Sequence, residues 1–266
     1  MIPLTLESSS LADTDGRTAY PVFALVSNAT QARQVNPPRS GSHCDLCVVH
    51  WACLASAIPY AQREGLDRMV HTWRRIAKGE TVFRAGDSFH ALYAIRSGSF
   101  KTVVSHPHGI SRVTGFQLAG ETLGLDGIAD SHHTCDAIAL EDSTVCSMPF
   151  HCVEALCHDI PSLQRRLHQL LAEEIVHESR LMLISRLTAE ARVATFLLNL
   201  SGRMQERGYS SSSFTLRMTR EEIGSYLGMQ LETVSRLLSR FQREGWITVC
   251  GRNIELTDKA ALAALN

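Results

Sequence analysis

Apolar residues fall in short runs through the first part of this chain and shift to a helical spacing beyond about residue 150. TVF (81–83), ALYAI (91–95), FKTVV (100–104), VTGF (113–116), DAIAL (136–140) and STVCSM (143–148) are separated by turn residues. Gly86, Gly98, Gly109 and Gly120 recur at steps of 12, 11 and 11. Short strands at regular spacing with glycine turns predict an all-β roll over residues 59–152. From 153 to 187 the spacing is helical. Leu167, Leu171, Ile175, Glu178 and Met182 follow one another at steps of 4, 4, 3 and 4, close to the seam of a coiled coil. This predicts one long helix that pairs with a second copy. Glu178, with Glu174 beside it, is the polar member of the seam. In a parallel homodimer it faces its own copy, and like charges there weaken association. The misfit reads as a device that keeps the dimer weak enough to be switched.

Residues 188–266 read as a helix, a short strand, two helices and a hairpin. FTLRM (214–218) looks extended. In MTREEIGSYLG, Thr219 is an N-cap and Glu222, three residues on, completes a capping box. Gly228 sits where a tight turn between two helices belongs. The second helix runs from about Gln230 to Glu244 and stops at Gly245. WITVC and NIEL flank Gly251 and predict a wing. On the second helix Val234, Leu237, Leu238 and Phe241 form a buried stripe at i, i+3, i+4 and i+7. The opposite face carries Glu232, Ser235, Arg236, Ser239, Arg240 and Arg243. Such a face suits the major groove, where arginine can bond guanine bidentately and a carboxylate can accept from cytosine N4. Arg240 and Arg243 are placed to meet phosphates, which position a protein without reading sequence. A helix, a glycine turn and a wing together make a DNA-binding reading far stronger than a charged face alone.

Residues 1–42 hold no lasting periodicity and end in a Pro- and Ser-rich stretch, so a disordered tail is expected. Its one apolar piece is VFALV at 22–26. The whole chain has 266 residues, enough for two domains with a real core. Hydrophobic content of 44%, charged content of 20% and a net charge of −1 are ordinary and point to no particular partner. Residues 188–266 are only mildly basic, with ten Lys/Arg against eight Asp/Glu; affinity for DNA at large should be modest and salt-sensitive. No apolar run reaches the ~20 residues that span a bilayer, and no signal peptide is visible. A cytoplasmic protein is expected, with no membrane partner. No nucleophile–base pair, phosphate-cradling glycine loop or acid pair asks for catalysis, so an enzyme is not expected.

Eight cysteines in this length are too sparse for a disulfide scaffold. Cys44, Cys47 and Cys53 are clustered in CDLCVVHWAC with spacing Cys-x2-Cys-x5-Cys. A Cys-x2-Cys step delivers two thiolates to one small volume, as metal centres require. The spacing leaves open a tetrahedral zinc, a cysteine-held iron–sulfur cluster, or free buried thiols. Cys135, Cys152, Cys157 and Cys250 read as small buried apolar residues, and His132–His133 as loop residues.

The order of roll, long helix and winged helix-turn-helix resembles the Crp/Fnr family of bacterial transcription regulators, and its oxygen-sensing branch in particular. LYAIRSGSFKT, TGFQLAGETLG and MTREEIGSYLGMQLETVSRLLSRFQREG carry the resemblance, which extends over roughly residues 43–260. It implies an α+β chain: a cyclic-nucleotide-binding-like jelly roll, a dimerisation helix and a winged helix-turn-helix, preceded by a cysteine segment at 43–58. It implies that Cys44, Cys47, Cys53 and Cys146 bind an oxygen-labile 4Fe–4S cluster. Glu232, Ser235 and Arg236 match the base-reading residues, and a TTGAT-N4-ATCAA-type palindrome is the implied target. Homodimerisation and contact with RNA polymerase are implied as well. Two features depart from the pattern. No Arg or Lys lies between Gly120 and Val145, so a cyclic nucleotide would lack its phosphate counter-charge and is not expected as effector. The loop SHPHGIS (105–111), which matches a polymerase-touching surface, carries no acid. The alternatives on the same scaffold are a zinc or haem sensor, or a cysteine redox protein.

Overall fold

The computed structural model describes residues 44, 47–62, 70, 72–105 and 109–265. The tail expected over 1–42 and part of the loop 105–111 lie outside the described residues. Two four-stranded antiparallel sheets form the roll. One has the order β1-β8-β3-β6, built from Thr72–Ile76, Ser143–Pro149, Ala91–Ser97 and Thr122–Leu123. The other has the order β2-β7-β4-β5, built from Thr81–Phe83, Asp136–Ala139, Ser99–Ser105 and Ser111–Leu118. The period-2 rule sends alternate side chains of the first sheet to opposite faces. Ile76, Ile95 and Val145 point inward, against Val82, Phe83 and Phe100 of the second sheet. Leu92, Ala94 and Met148 point the other way, onto a separate cluster.

That outer cluster joins three parts of the chain. It takes Leu54, Ala55 and Ile58 from short 3-10 turns after the cysteine triplet. It takes Val153 and Leu156 from α1 (Phe150–Asp159), and Leu163, Leu167 and Leu170 from α2 (Pro161–Ile184). The single helix expected over 153–187 is therefore two helices. Pro161 has no N–H and pushes the residue before it out of helical conformation; Ile160 sits at φ −126° and ψ 91°. The helix also begins earlier, at Phe150. One further expectation fails. Cys250 is exposed and Cys152 is only partly covered, unlike buried Cys135 and Cys157, because Cys250 ends a wing strand at the surface. His133 lies in a loop, as expected, and is buried there at 3% exposure. Its ring stacks on Phe83 with centroids 3.6 Å apart, and its Nδ1 lies 3.3 Å from Asp126 Oδ1.

The C-terminal part starts with α3 (Ala189–Glu206), capped by the Thr188 side chain. A helix-turn-helix follows: α4 (Arg220–Leu227) and α5 (Leu231–Arg243). Both halves of the Thr219–Glu222 capping box are formed, and Gly228 closes α4 in the left-handed region. The bend between the helices also depends on Gly224, where an added Cβ would lie 2.6 Å from the Met229 carbonyl oxygen. β10 (Ile247–Cys250) and β11 (Asn253–Leu256) form the wing hairpin, β9 (Ser213–Thr215) adds a third strand, and α6 (Lys259–Ala263) ends the described chain.

This part packs on the outer face of the second sheet. Val113, Phe116 and Leu118 of β5 share one core with Phe196, Leu197 and Tyr226. β5 is an edge strand, and the Ser225 hydroxyl accepts from the Val113 N–H at 3.0 Å, satisfying a donor that the edge would leave open. Lys101 on β4 reaches Glu222 at 2.7 Å.

Candidate cysteine centre and nucleic-acid interface

Cys146 lies mid-strand in β8, flanked by Trp73 of β1 and Ala94 of β3 in register. A residue laddered on both sides is held rigidly. Its side chain leaves the outer face, on the side away from Val145. The triplet is carried differently. The Cys47 N–H donates to the Cys44 carbonyl at 3.1 Å, forming the tight turn that a Cys-x2-Cys step needs. Cys53 stands between two 3-10 turns, His50–Ala52 and Leu54–Ala57, and its N–H donates to the carbonyls of Val49 and His50. Leu54 is fully buried and anchors the segment next to Cys53.

The result is one small cavity lined by Cys44, Cys47, Cys53 and Cys146, with Val49 and Met148 among its apolar walls. Burial pushes the Cys53 thiol up to about 11, with the neighbouring Cys44 and Cys47 adding to the effect. Burial pushes Cys146 up to about 12, with Cys53, Cys44 and Cys47 adding, while Arg96 acts in the opposite direction. Burial first, and the neighbouring sulfurs second, hold Cys53 and Cys146 as thiols, so a group that ligates them as thiolates would have to bring positive charge into the cavity. Zinc would need its sulfurs at ~2.3 Å from one point. Among the described residues, no three His, Cys, Asp or Glu side chains are placed to hold a single metal ion. Four cysteines facing one cavity supply the sulfur donors that a thiolate-ligated metal or cluster takes.

Sequence reasoning missed two residues on this cavity. Trp73 and Arg96 both line it, and the Arg96 guanidinium lies 3.7 Å from the Trp73 ring centre. Arg96 stands within LYAIRSGSFKT but with no role of its own there, Trp73 stands in no quoted motif, and their meeting depends on β1 and β3 both flanking β8.

The outer surface of α2 is more complex than one seam. Leu167 is 9% exposed and sits in its own chain's core with Leu163 and Leu170. Leu171 is partly covered, and Glu178 is exposed. Ile175 and Met182 are 68% and 73% exposed, with Val176 and Leu183 bare beside them. The bare apolar surface begins after Leu171.

On α5, Val234, Leu237, Leu238 and Phe241 are buried as their spacing predicts. Glu232, Arg236 and Arg243 are exposed on the opposite face, and Ser235 is partly exposed. Arg240 differs: its Nη1 lies 2.5 Å from Glu190 Oε1 in the first turn of α3. Its charge is shared with the domain itself. Among the described residues no helix is long and apolar enough to cross a membrane.

Residues 73–159 match the family described as cyclic nucleotide-binding domain, and residues 191–265 match the Crp-like helix-turn-helix domain. The chain is 41% identical over 234 residues to the transcriptional regulatory protein btr of Bordetella pertussis, covering 88% of this chain and 97% of that one. It is 39% identical to the fumarate and nitrate reduction regulatory protein of Escherichia coli K12, covering 88% and 94%. Among solved structures, FixK2 from Bradyrhizobium japonicum superposes with a TM-score of 0.68 at 29% identity, covering 73% of this chain and 96% of that one. A two-sheet roll, two successive helices and a winged helix-turn-helix, with relatives of this similarity over nearly their whole length, establish that the chain belongs to the Crp/Fnr family of transcription regulators.

Proposed function

We propose that this regulator responds to oxygen through a 4Fe–4S cluster held by Cys44, Cys47, Cys53 and Cys146, and that the response controls a homodimer on palindromic DNA. The observation that carries this reading is that four cysteines, one of them about ninety residues from the rest, line a single cavity. When bound, a 4Fe–4S group supplies an oxygen-labile link among four thiolates. The chain's own residues do the rest. Cys146 is the fixed point on β8. Leu54, Ala55 and Ile58 rest on the same outer cluster as Leu163, Leu167 and Leu170 of α2. The Ser162 hydroxyl donates to the Ala57 carbonyl at 2.7 Å. The pose of the cysteine segment therefore bears on the first turns of the helix whose later turns carry Ile175, Glu178 and Met182.

Fixing the segment favours the dimer, and releasing it leaves the Glu178 repulsion to dominate. A dimer balanced by a few kcal/mol can be tipped by one such change. The dimer offers two α5 helices to half-sites about one DNA turn apart. A monomer holds only one half-site and loses the gain from linkage. Glu232, Ser235 and Arg236 read bases of a TTGAT-N4-ATCAA-type site, and Arg243 and Arg240 meet phosphates. Bound there, the cytoplasmic protein activates or represses through RNA polymerase. No cyclic nucleotide is proposed as effector, because no Arg or Lys lies between Gly120 and Val145 to meet its phosphate.

The test is Cys146→Ala, followed by DNA binding with and without oxygen. Loss of anaerobic binding to the palindrome is expected. Wild-type binding that still responds to oxygen would overturn the proposal.

A further inference from the structure

The loop between β5 and β6 is gripped from three sides. From the roll, the Gly120 N–H donates to the Ile95 carbonyl at 2.7 Å, and the Ile95 N–H donates to the Glu121 carbonyl at 2.9 Å. From α3, Arg203 donates through Nε to Glu121 Oε1 at 3.1 Å and through Nη2 to Oε2 at 2.6 Å. Arg203 Nη2 also reaches the Phe116 carbonyl at 2.6 Å. Arg207 donates through Nη2 to Glu121 Oε1 at 2.5 Å and through Nε to the Ala119 carbonyl at 2.8 Å. Its Nη1 bonds the Arg203 carbonyl at 2.7 Å and ties the two arginines together. Two guanidiniums from the DNA-binding part thus hold one carboxylate and two carbonyls of the sensory roll.

The third side is the cysteine segment. Gly120 is so closely covered that a Cβ there would lie 2.8 Å from Ala52 Cβ and 3.7 Å from Val49 Cβ. Ala52 immediately precedes Cys53. Trp51 and Ala52 line the same groove as Glu121, Arg203 and Arg207.

We infer that Glu121, Arg203 and Arg207 are positioning residues for DNA binding: they clamp the helix-turn-helix part to the roll, and Ala52 presses on the clamp through Gly120. The clamp gives a route from the cysteine segment to the helix-turn-helix part inside one chain. The clamp itself stands without any cofactor. Only its control by the cysteines rests on the function proposed above. Paired hydrogen-bonded charges with this geometry fix orientation as well as attraction, and at 8–25% side-chain exposure they are little screened.

The test compares wild type, Glu121→Gln and Ala52→Leu by hydrogen exchange, in metal-free protein and in anaerobically purified protein. Sedimentation and thermal melting are run on the same samples. In metal-free Glu121→Gln, exchange at residues 118–121 and 199–207 should rise at least tenfold, while the dimer constant stays within about threefold. Affinity for a TTGAT-N4-ATCAA duplex should fall about tenfold relative to a half-site duplex. Ala52→Leu should raise exchange at 118–121 and 199–207 without changing residues 231–243. If Glu121→Gln lowers only the melting temperature and leaves the exchange pattern and the palindrome-to-half-site ratio as in wild type, the clamp is overturned. If Ala52→Leu leaves 199–207 unchanged, the route from the cysteine segment is overturned. Iron and sulfide analysis of the same preparations scores the cofactor reading separately, so the two can fail independently.

Discussion

Two apolar residues at the same seam spacing on α2 should fail in different ways. Ile175 is 68% exposed. At about 0.8 kcal/mol per buried CH2, Ile175→Ala removes roughly three methylene equivalents, and about two-thirds of that area is available to a partner. The loss is about 1.6 kcal/mol per protomer and, by symmetry, about 3 kcal/mol per dimer. At 1.4 kcal/mol per factor of ten, the dimer dissociation constant should rise by about two hundredfold. The fold should be little affected, because the side chain touches little of its own chain. Leu167→Ala is the counterpart. Leu167 is 9% exposed and packs with Leu163 and Leu170, so its truncation should destabilise folding by about 2–5 kcal/mol. Sedimentation equilibrium reads the first effect and denaturant unfolding the second. A change of less than about threefold in the Ile175→Ala dimer constant would refute the assignment of the bare surface to the dimer. So would an Ile175→Ala loss of folding stability as large as that of Leu167→Ala.

Other outcomes follow from the same geometry. Glu178→Ala should give a dimer that persists in air; sedimentation showing it as monomeric as the parent would remove Glu178 from the interface. Arg236→Ala should weaken specific binding by about 1–3 kcal/mol and relax discrimination at one base pair, whereas Arg240→Ala should weaken binding to all sequences alike, as salt-dependent titrations against matched and mismatched duplexes can show. Its pair with Glu190 is 43% and 38% exposed, so stability should change by about 1 kcal/mol or less. Metal-free protein should lose stability as pH rises. Burial pushes the thiols of Cys53 and Cys146 up to about 11 and about 12, with Cys44 and Cys47 adding to both and Cys53 adding to Cys146, so the folded state holds protons that an unfolded thiol releases above about 8.5. Their contribution is complete below that pH and is lost as pH climbs toward 11–12; unfolding curves flat from pH 8 to 11 would contradict it.

The helix-turn-helix was legible in the sequence because its determinants are local. The Thr219–Glu222 box, the glycine turn and the i, i+3, i+4, i+7 stripe each lie within a few residues. The roll was legible for a similar reason, through its glycine-punctuated strands. The break at Ile160–Pro161 was also written locally, but the continuous apolar spacing on either side of it hid the break. Leu167 belongs to two stripes at once: 163, 167 and 170 face inward, while 171, 175 and 182 lie on the outer side. Periodicity alone cannot say which face the roll takes. His133 and the Glu121–Arg203–Arg207 set were out of reach, because burial of a histidine under Phe83 and ion pairing across more than eighty residues depend on the assembled sheets. At the cysteine centre, the residue types and the short spacing were visible, but the convergence of Cys146 with the triplet depends on the register of β8 between β1 and β3.

Iron, acid-labile sulfide and zinc content of protein purified without oxygen tests the central claim most directly, with Cys146→Ala measured in parallel. Wild type should contain about four irons and four sulfides per chain, and the variant should lose them. Zinc alone, or iron and sulfide retained in full by Cys146→Ala, would contradict it.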